Sequence, residues 1–157
     1  MYKYICVLLF ALMVFFSTSV KAEDMSEVEF EVNHVAKGFE KFKEKALLFF
    51  KFSKDDKYKY QKFLLEKRLA ELKYVIDSKE WDPIETTSSR YTSYLGRFHD
   101  SVVKSNLKGV NEEVLSIYER HGKVLRELQK NFEFEGGWWL LLQHDINSTK
   151  IFSEKLK

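Results

Sequence analysis

The chain has 157 residues, 45% of them hydrophobic and 16% aromatic, which is enough apolar material for one packed core and too much for a disordered chain. One proline and six glycines punctuate it too rarely for a fold of many strands and turns, so long helices are expected. A formal charge of only +2 and a single cysteine, Cys6, argue against a basic nucleic-acid binder and a disulfide-stapled domain.

At the N-terminus, Lys3 precedes an apolar run over residues 5–16, and residues 17–22 end in small side chains ahead of Glu23. This is the layout of a secretory signal peptide cut after Ala22. The run is shorter than the about 20 apolar residues that span a bilayer, so export is expected rather than anchoring. Cleavage takes Cys6 with it and leaves a cysteine-free mature chain. Taking Lys3 and Lys21 from 26 basic residues leaves 24 against 24 acidic ones, which removes the net positive charge altogether. Residues 1–22 are thus read as the signal and residues 23–157 as a single helical domain.

In the mature chain, Val28, Val32, Val35, Phe39, Phe42, Ala46 and Phe49 alternate four- and three-residue steps. That spacing predicts a first helix over residues 28–52 with those side chains turned inward as a seam. Gly38 marks either a bend or the start of its stable part. Leu47, Leu48, Phe50 and Phe52 make the last turns apolar on more than one side. Such a segment is either buried from several directions or in contact with something outside the domain.

The next stretch organises the rest. Ser53, Asp55 and Asp56 supply a helix cap and suit the positive end of a helix dipole. From there Tyr58, Leu65, Leu69, Leu72 and Ile76 keep one side apolar, and Lys59, Lys62, Lys67 and Lys73 are placed on the other. Glu71 can pair with Lys67 and Arg68 along the helix, and Glu66 and Glu71 read as surface charges. The sequence FFKFSKDDKYKYQKFLLEKRLAEL, an aromatic-ended helix, a polar turn and a helix closing on Arg68-Leu69-Ala70-Glu71-Leu72, resembles the bacterial domain of unknown function 5667 family over residues 41–72. A fainter likeness continues through residues 118–125 and 148–150. The chain differs in lacking a proline-containing approach to the first family helix. The resemblance implies an exported or membrane-anchored helical domain with no established chemistry.

Trp81, Asp82 and Pro83 form a connector, with Asp82 as cap and Pro83 in a first helical turn. Ile84, Tyr91, Leu95, Phe98 and Val102 then predict the buried side of a third helix, stopped at Lys108-Gly109. Asn111 is expected to cap a fourth helix whose inner face is Val114, Ile117, His121, Val124, Leu128 and Phe132. Gly136-Gly137 ends that unit. Trp138 and Trp139 open a last helix that runs through Ile146, Thr149 and Ile151 to Leu156. The predicted fold is all-α, an antiparallel array of four to five helices with short connections after the signal peptide.

Chemistry is sparse. His34, His99, His121 and His144 fall on different predicted helices at no local metal-binding spacing, so a histidine metal site would need tertiary assembly. His121 reads as an inward histidine with a hydrogen-bond partner, and the other three as surface residues. No carboxylate pair, nucleophile elbow, phosphate loop or dinucleotide fingerprint stands out, and no cofactor is implied. The expected function is therefore that of an exported, non-enzymatic helical protein of the bacterial cell envelope, found in the periplasm, at the cell surface or outside the cell. Its partner is an unknown protein or its own copy, and not nucleic acid. The alternative is binding to a membrane surface through the lysine- and phenylalanine-rich residues 39–54. Contact residues for a lipid or a partner are Phe49, Phe50, Lys51, Trp138 and Trp139, although core is the simpler reading of both stretches, because a small bundle needs such aromatic material.

Overall fold

Ser53 begins the central helix as its side chain allows: its Oγ accepts a hydrogen bond from the Asp56 amide at 2.9 Å, and Asp55 and Asp56 occupy the first turn. The computed structural model describes residues 28–29, 31–107 and 109–157, so the signal assigned to residues 1–22, with Cys6, lies outside the described residues. Five helices follow in order: α1 Gly38–Phe49, α2 Lys54–Asp77, α3 Ile84–Ser105, α4 Asn111–Gln129 and α5 Gly137–Leu156. No strand occurs among the described residues.

The predicted apolar faces of α2, α3 and α4 are inward. Tyr58, Leu65, Leu69, Leu72 and Ile76 meet Ile84, Tyr91, Leu95, Phe98 and Val102, and both meet Val114, Ile117, Val124 and Leu128 in one continuous core. Leu142 and Ile146 add α5 to it. Ile151 does not join them: it falls on the face of α5 opposite Leu142 and is exposed, while Phe152 packs against the core. The stop of α3 also differs from expectation. Asn106, at φ 49°, takes the left-handed cap three residues before Gly109, because the side chain of Asn tolerates that conformation better than most.

Consecutive helices run antiparallel, as Lys54 Nζ at the start of α2 bonding Ser105 O at the end of α3 shows for α2 and α3. The α2–α3 and α4–α5 hairpins then lie side by side. Tyr58 reaches Glu113 and Glu66 reaches His121, pairs with the same sequence offset, so α2 and α4 run parallel. Ser88 to Asp145 and His99 to Phe152 align α3 with α5 in the same way.

The first helix is the main departure. It spans Gly38–Phe49 and not residues 28–52, because the chain ahead of it is committed elsewhere. The Ala36 amide donates to Glu71 Oε1 at 3.0 Å, and Val28 and Val35 pack as half-buried side chains against the core. Helix α1 crosses antiparallel to α2, with Ala36 beside Glu71, Glu44 beside Arg68, and Lys51 over the ring of Tyr60.

Candidate functional site

The seam predicted for α1 faces the wrong way. Phe39, Phe42 and Phe49 are 79%, 68% and 77% exposed, and Phe50 and Phe52 beyond the helix end are 64% and 84% exposed. The residue of α1 that is buried is Glu44. At about 100° per residue the three helical phenylalanines fall within roughly 80° of one another, with Glu44 diametrically opposite and Lys43 and Lys45 about 80° to either side. Helix α1 is therefore amphipathic with its charged side inward.

What holds it there is a cluster of charges that the sequence placed on surfaces. Glu44 accepts a close hydrogen bond from Arg68 Nη2 and a second from Lys67 Nζ at 2.7 Å. Arg68, fully buried, also donates to both oxygens of Glu71 at 2.7 and 2.8 Å, and Arg90 reaches Glu71 at 3.3 Å. The Arg68 guanidinium lies over the Tyr94 ring at 4.9 Å. Glu71 is thus not a surface charge, and Lys67 pairs with Glu44 rather than along its own helix. A buried arginine demands this arrangement, because an unpaired charge in the interior costs several kcal/mol. Glu44 satisfies Arg68 only when α1 turns its aromatics outward. Under α1 remains a crevice of about 30 Å³ lined by Glu44, Leu48, Gln61, Leu64 and Tyr94. Gln61 Oε1, on the wall of that crevice, and Arg68 Nε, in the ion-pair cluster beside it, make no hydrogen bond.

The two sets of predicted contact residues are not brought together. Phe49, Phe50 and Lys51 sit by the start of α2, with Lys51 half-buried over Tyr60. Trp138 stacks on Trp81, past the far end of α2, at 5.4 Å, and Phe132 meets both rings edge-on at 5.6 and 5.9 Å. Trp139 packs against Phe134 at 4.8 Å. A helix of 24 residues, about 36 Å long, separates the two regions. The tryptophans tie the ends of the two hairpins and line a cleft of about 520 Å³ with Asn131 and Glu133, and Trp138 is still 42% exposed.

The centre of the body holds a second set of charges missed at the sequence level. Glu66 accepts from Arg120 at 2.6 and 3.0 Å and from His121 Nε2 at 2.9 Å, and His121 Nδ1 faces the Tyr91 hydroxyl at 3.1 Å. Burial alone would raise the Glu66 carboxyl, but hydrogen bonding and charge from His121, then Arg120, bring it down to about 2. As a carboxylate it only accepts, so His121 Nε2 carries a proton. Burial drives the Tyr91 hydroxyl well above its ordinary range. On α5, Asp145 is fully buried and accepts only from the Ser88 hydroxyl at 2.7 Å and, more closely, that of Thr92; the nearest base is exposed His144 at 3.9 Å. Burial pushes its carboxyl up to about 6. Two carboxyls with pKa values so far apart are the raw material of acid–base chemistry. Here both are sealed in the core, with Glu66 1% and Asp145 0% exposed.

His121 is inward with partners, as expected, whereas His99, read as a surface residue, is buried against Tyr118 and Phe152. Burial pulls the His99 pKa below its usual value. Among the described residues no group of three or more His, Cys, Asp or Glu side chains is placed to hold a metal ion. No family model, curated protein or solved structure matches the chain.

Proposed function

We propose that this protein is an exported, non-catalytic docking module of the bacterial cell envelope, working through the outward aromatic face of α1. One observation carries the reading: a buried ion pair, Glu44 with Arg68, fixes the rotation of α1 so that its phenylalanines meet solvent. A contiguous apolar surface of that kind has no role in the fold and is costly to leave in water, which is the signature of an interaction site. The signal-like N-terminus and the resemblance of residues 41–72 to an exported helical family support the compartment. The sealing of Glu66, His121 and Asp145 in the core supports a binding role over a catalytic one.

The test compares the full chain with Phe39→Ser/Phe42→Ser/Phe49→Ser, each expressed in a bacterial host and fractionated. The native chain is expected in the envelope fraction and the variant in the soluble exported fraction, at equal total amounts. Identical distribution of the two would remove α1 as the docking element.

A further inference from the structure

Resting on the reading of α1 as the docking element, we propose that what it docks onto is a lipid bilayer carrying anionic headgroups, with α1 lying in the plane of the interface. Shape argues first. The stripe stands on the outer side of a single helix whose inner side is closed against α2, so it is a convex ridge. A bilayer takes in such a ridge by parting its headgroups, whereas a protein would have to present a groove cut to match it.

The chemistry of the stripe argues next. Phe39, Phe42, Phe49, Phe50 and Phe52 offer only carbon, with no hydroxyl or amide to set an orientation in a protein pocket. Charge completes the case. Between residues 37 and 57 the sequence carries seven lysines against four acidic residues, while the whole chain is only +2. Of those four acids, Glu44 is already neutralised inside by Arg68 and Lys67. Lys43 and Lys45 flank the stripe on both sides, where their stems can lie along the acyl boundary and their ammonium groups reach phosphates. At 12 residues, about 18 Å, α1 is too short to cross the hydrocarbon core, and no helix among the described residues is long and apolar enough to do so.

Residues 5–16 would by themselves bring the full chain down with vesicles, so the experiment reads one position rather than sedimentation. The full chain with Cys6→Ser carries a nitroxide at Phe49→Cys, or, as a control on the far side of the body, at Ser116→Cys. Each is mixed with vesicles of phosphatidylethanolamine and phosphatidylglycerol, or of phosphatidylcholine alone. On the anionic vesicles the label at position 49 is expected to lose most of its accessibility to an aqueous nickel chelate and gain accessibility to oxygen. The label at position 116 stays aqueous. High salt weakens the change at 49, and Phe39→Ser/Phe42→Ser abolishes it. A label at 49 that stays open to the chelate on vesicle-bound protein overturns the lipid assignment. If it instead broadens by spin–spin coupling as protein concentration rises, the occupant is a second copy and α1 remains the docking element. If it responds to neither and the fractionation above is also unchanged, both readings fall.

Discussion

Asp145 is buried against two hydroxyls, with exposed His144 no nearer than 3.9 Å, and this gives the protein a contribution to stability that depends on pH in an unusual direction. Its folded pKa, about 6, lies above the ordinary 3.8, so the folded state binds more protons between those values. Stability therefore falls as pH rises through that window and stays lower above it, by about 3 kcal/mol at roughly 1.4 kcal/mol per unit. Glu66 acts oppositely. Its folded pKa, about 2, lies below 4.5, so its contribution is complete above 4.5 and is lost as pH falls towards 2. Asp145→Asn is expected to raise stability at about pH 7.5 by about 1–2 kcal/mol and to flatten the slope above about pH 4, measured by urea unfolding across pH. An unchanged slope would show that Asp145 is solvated in solution. Glu66→Gln takes from His121 its carboxylate and from Arg120 the buried one, Glu29 at 3.0 Å being the other, and is expected to cost about 3–5 kcal/mol, read as a lowered denaturant midpoint.

At the scale of the helix, α1 is held mainly by charge, so it should be the first element to come away. Glu44→Ala leaves fully buried Arg68 with Glu71 as its remaining carboxylate and removes the α1 anchor. In that variant the α1 amides are expected to exchange with solvent as in an open chain while those of α2 and α4 keep their protection, measured by hydrogen exchange with mass spectrometry. Equal protection of α1 in both proteins would mean that Leu48 and its neighbours hold the helix without the pin. The same element shows where sequence reading stops. In α2, α3 and α4 the spacing of apolar residues gave the right inward face, because each of those helices has a main apolar stripe and a core to receive it. Helix α1 has a stripe just as regular. Periodicity says that a face exists and not which way it turns, and here a contact between residues 24 apart in sequence decides.

Across the whole molecule, two hairpins enclose a polar centre made by one or two residues from each of four helices: Glu66, Tyr91, Arg120 with His121, and Asp145. No local pattern announces such a set, since its members meet only when the hairpins pack. Two traces of it are nonetheless legible. Leu64, Ala70 and Val75 lie off the main stripe of α2 and are buried, which marks a helix enclosed on several sides, so that the charges between them are enclosed too. Asp145 falls in step with Leu142, Ile146 and Thr149 at core spacing. The outward phenylalanines lie apart from this core. Phe39→Ser/Phe42→Ser/Phe49→Ser is accordingly expected to shift the unfolding free energy by no more than about 0.5 kcal/mol, as surface changes do, in a calorimetric melt. A loss of several kcal/mol would place those rings in the interior after all.

The inverted face of α1 also sets how the segment can drift. Under selection for folding alone, Phe39, Phe42 and Phe49 would be free to become serine, lysine or glutamine, while Glu44 would be held fast by the arginine beneath it. The usual ranking of apolar over charged positions is reversed along this helix. A descendant chain that kept its phenylalanines would be keeping them for what they touch outside the molecule.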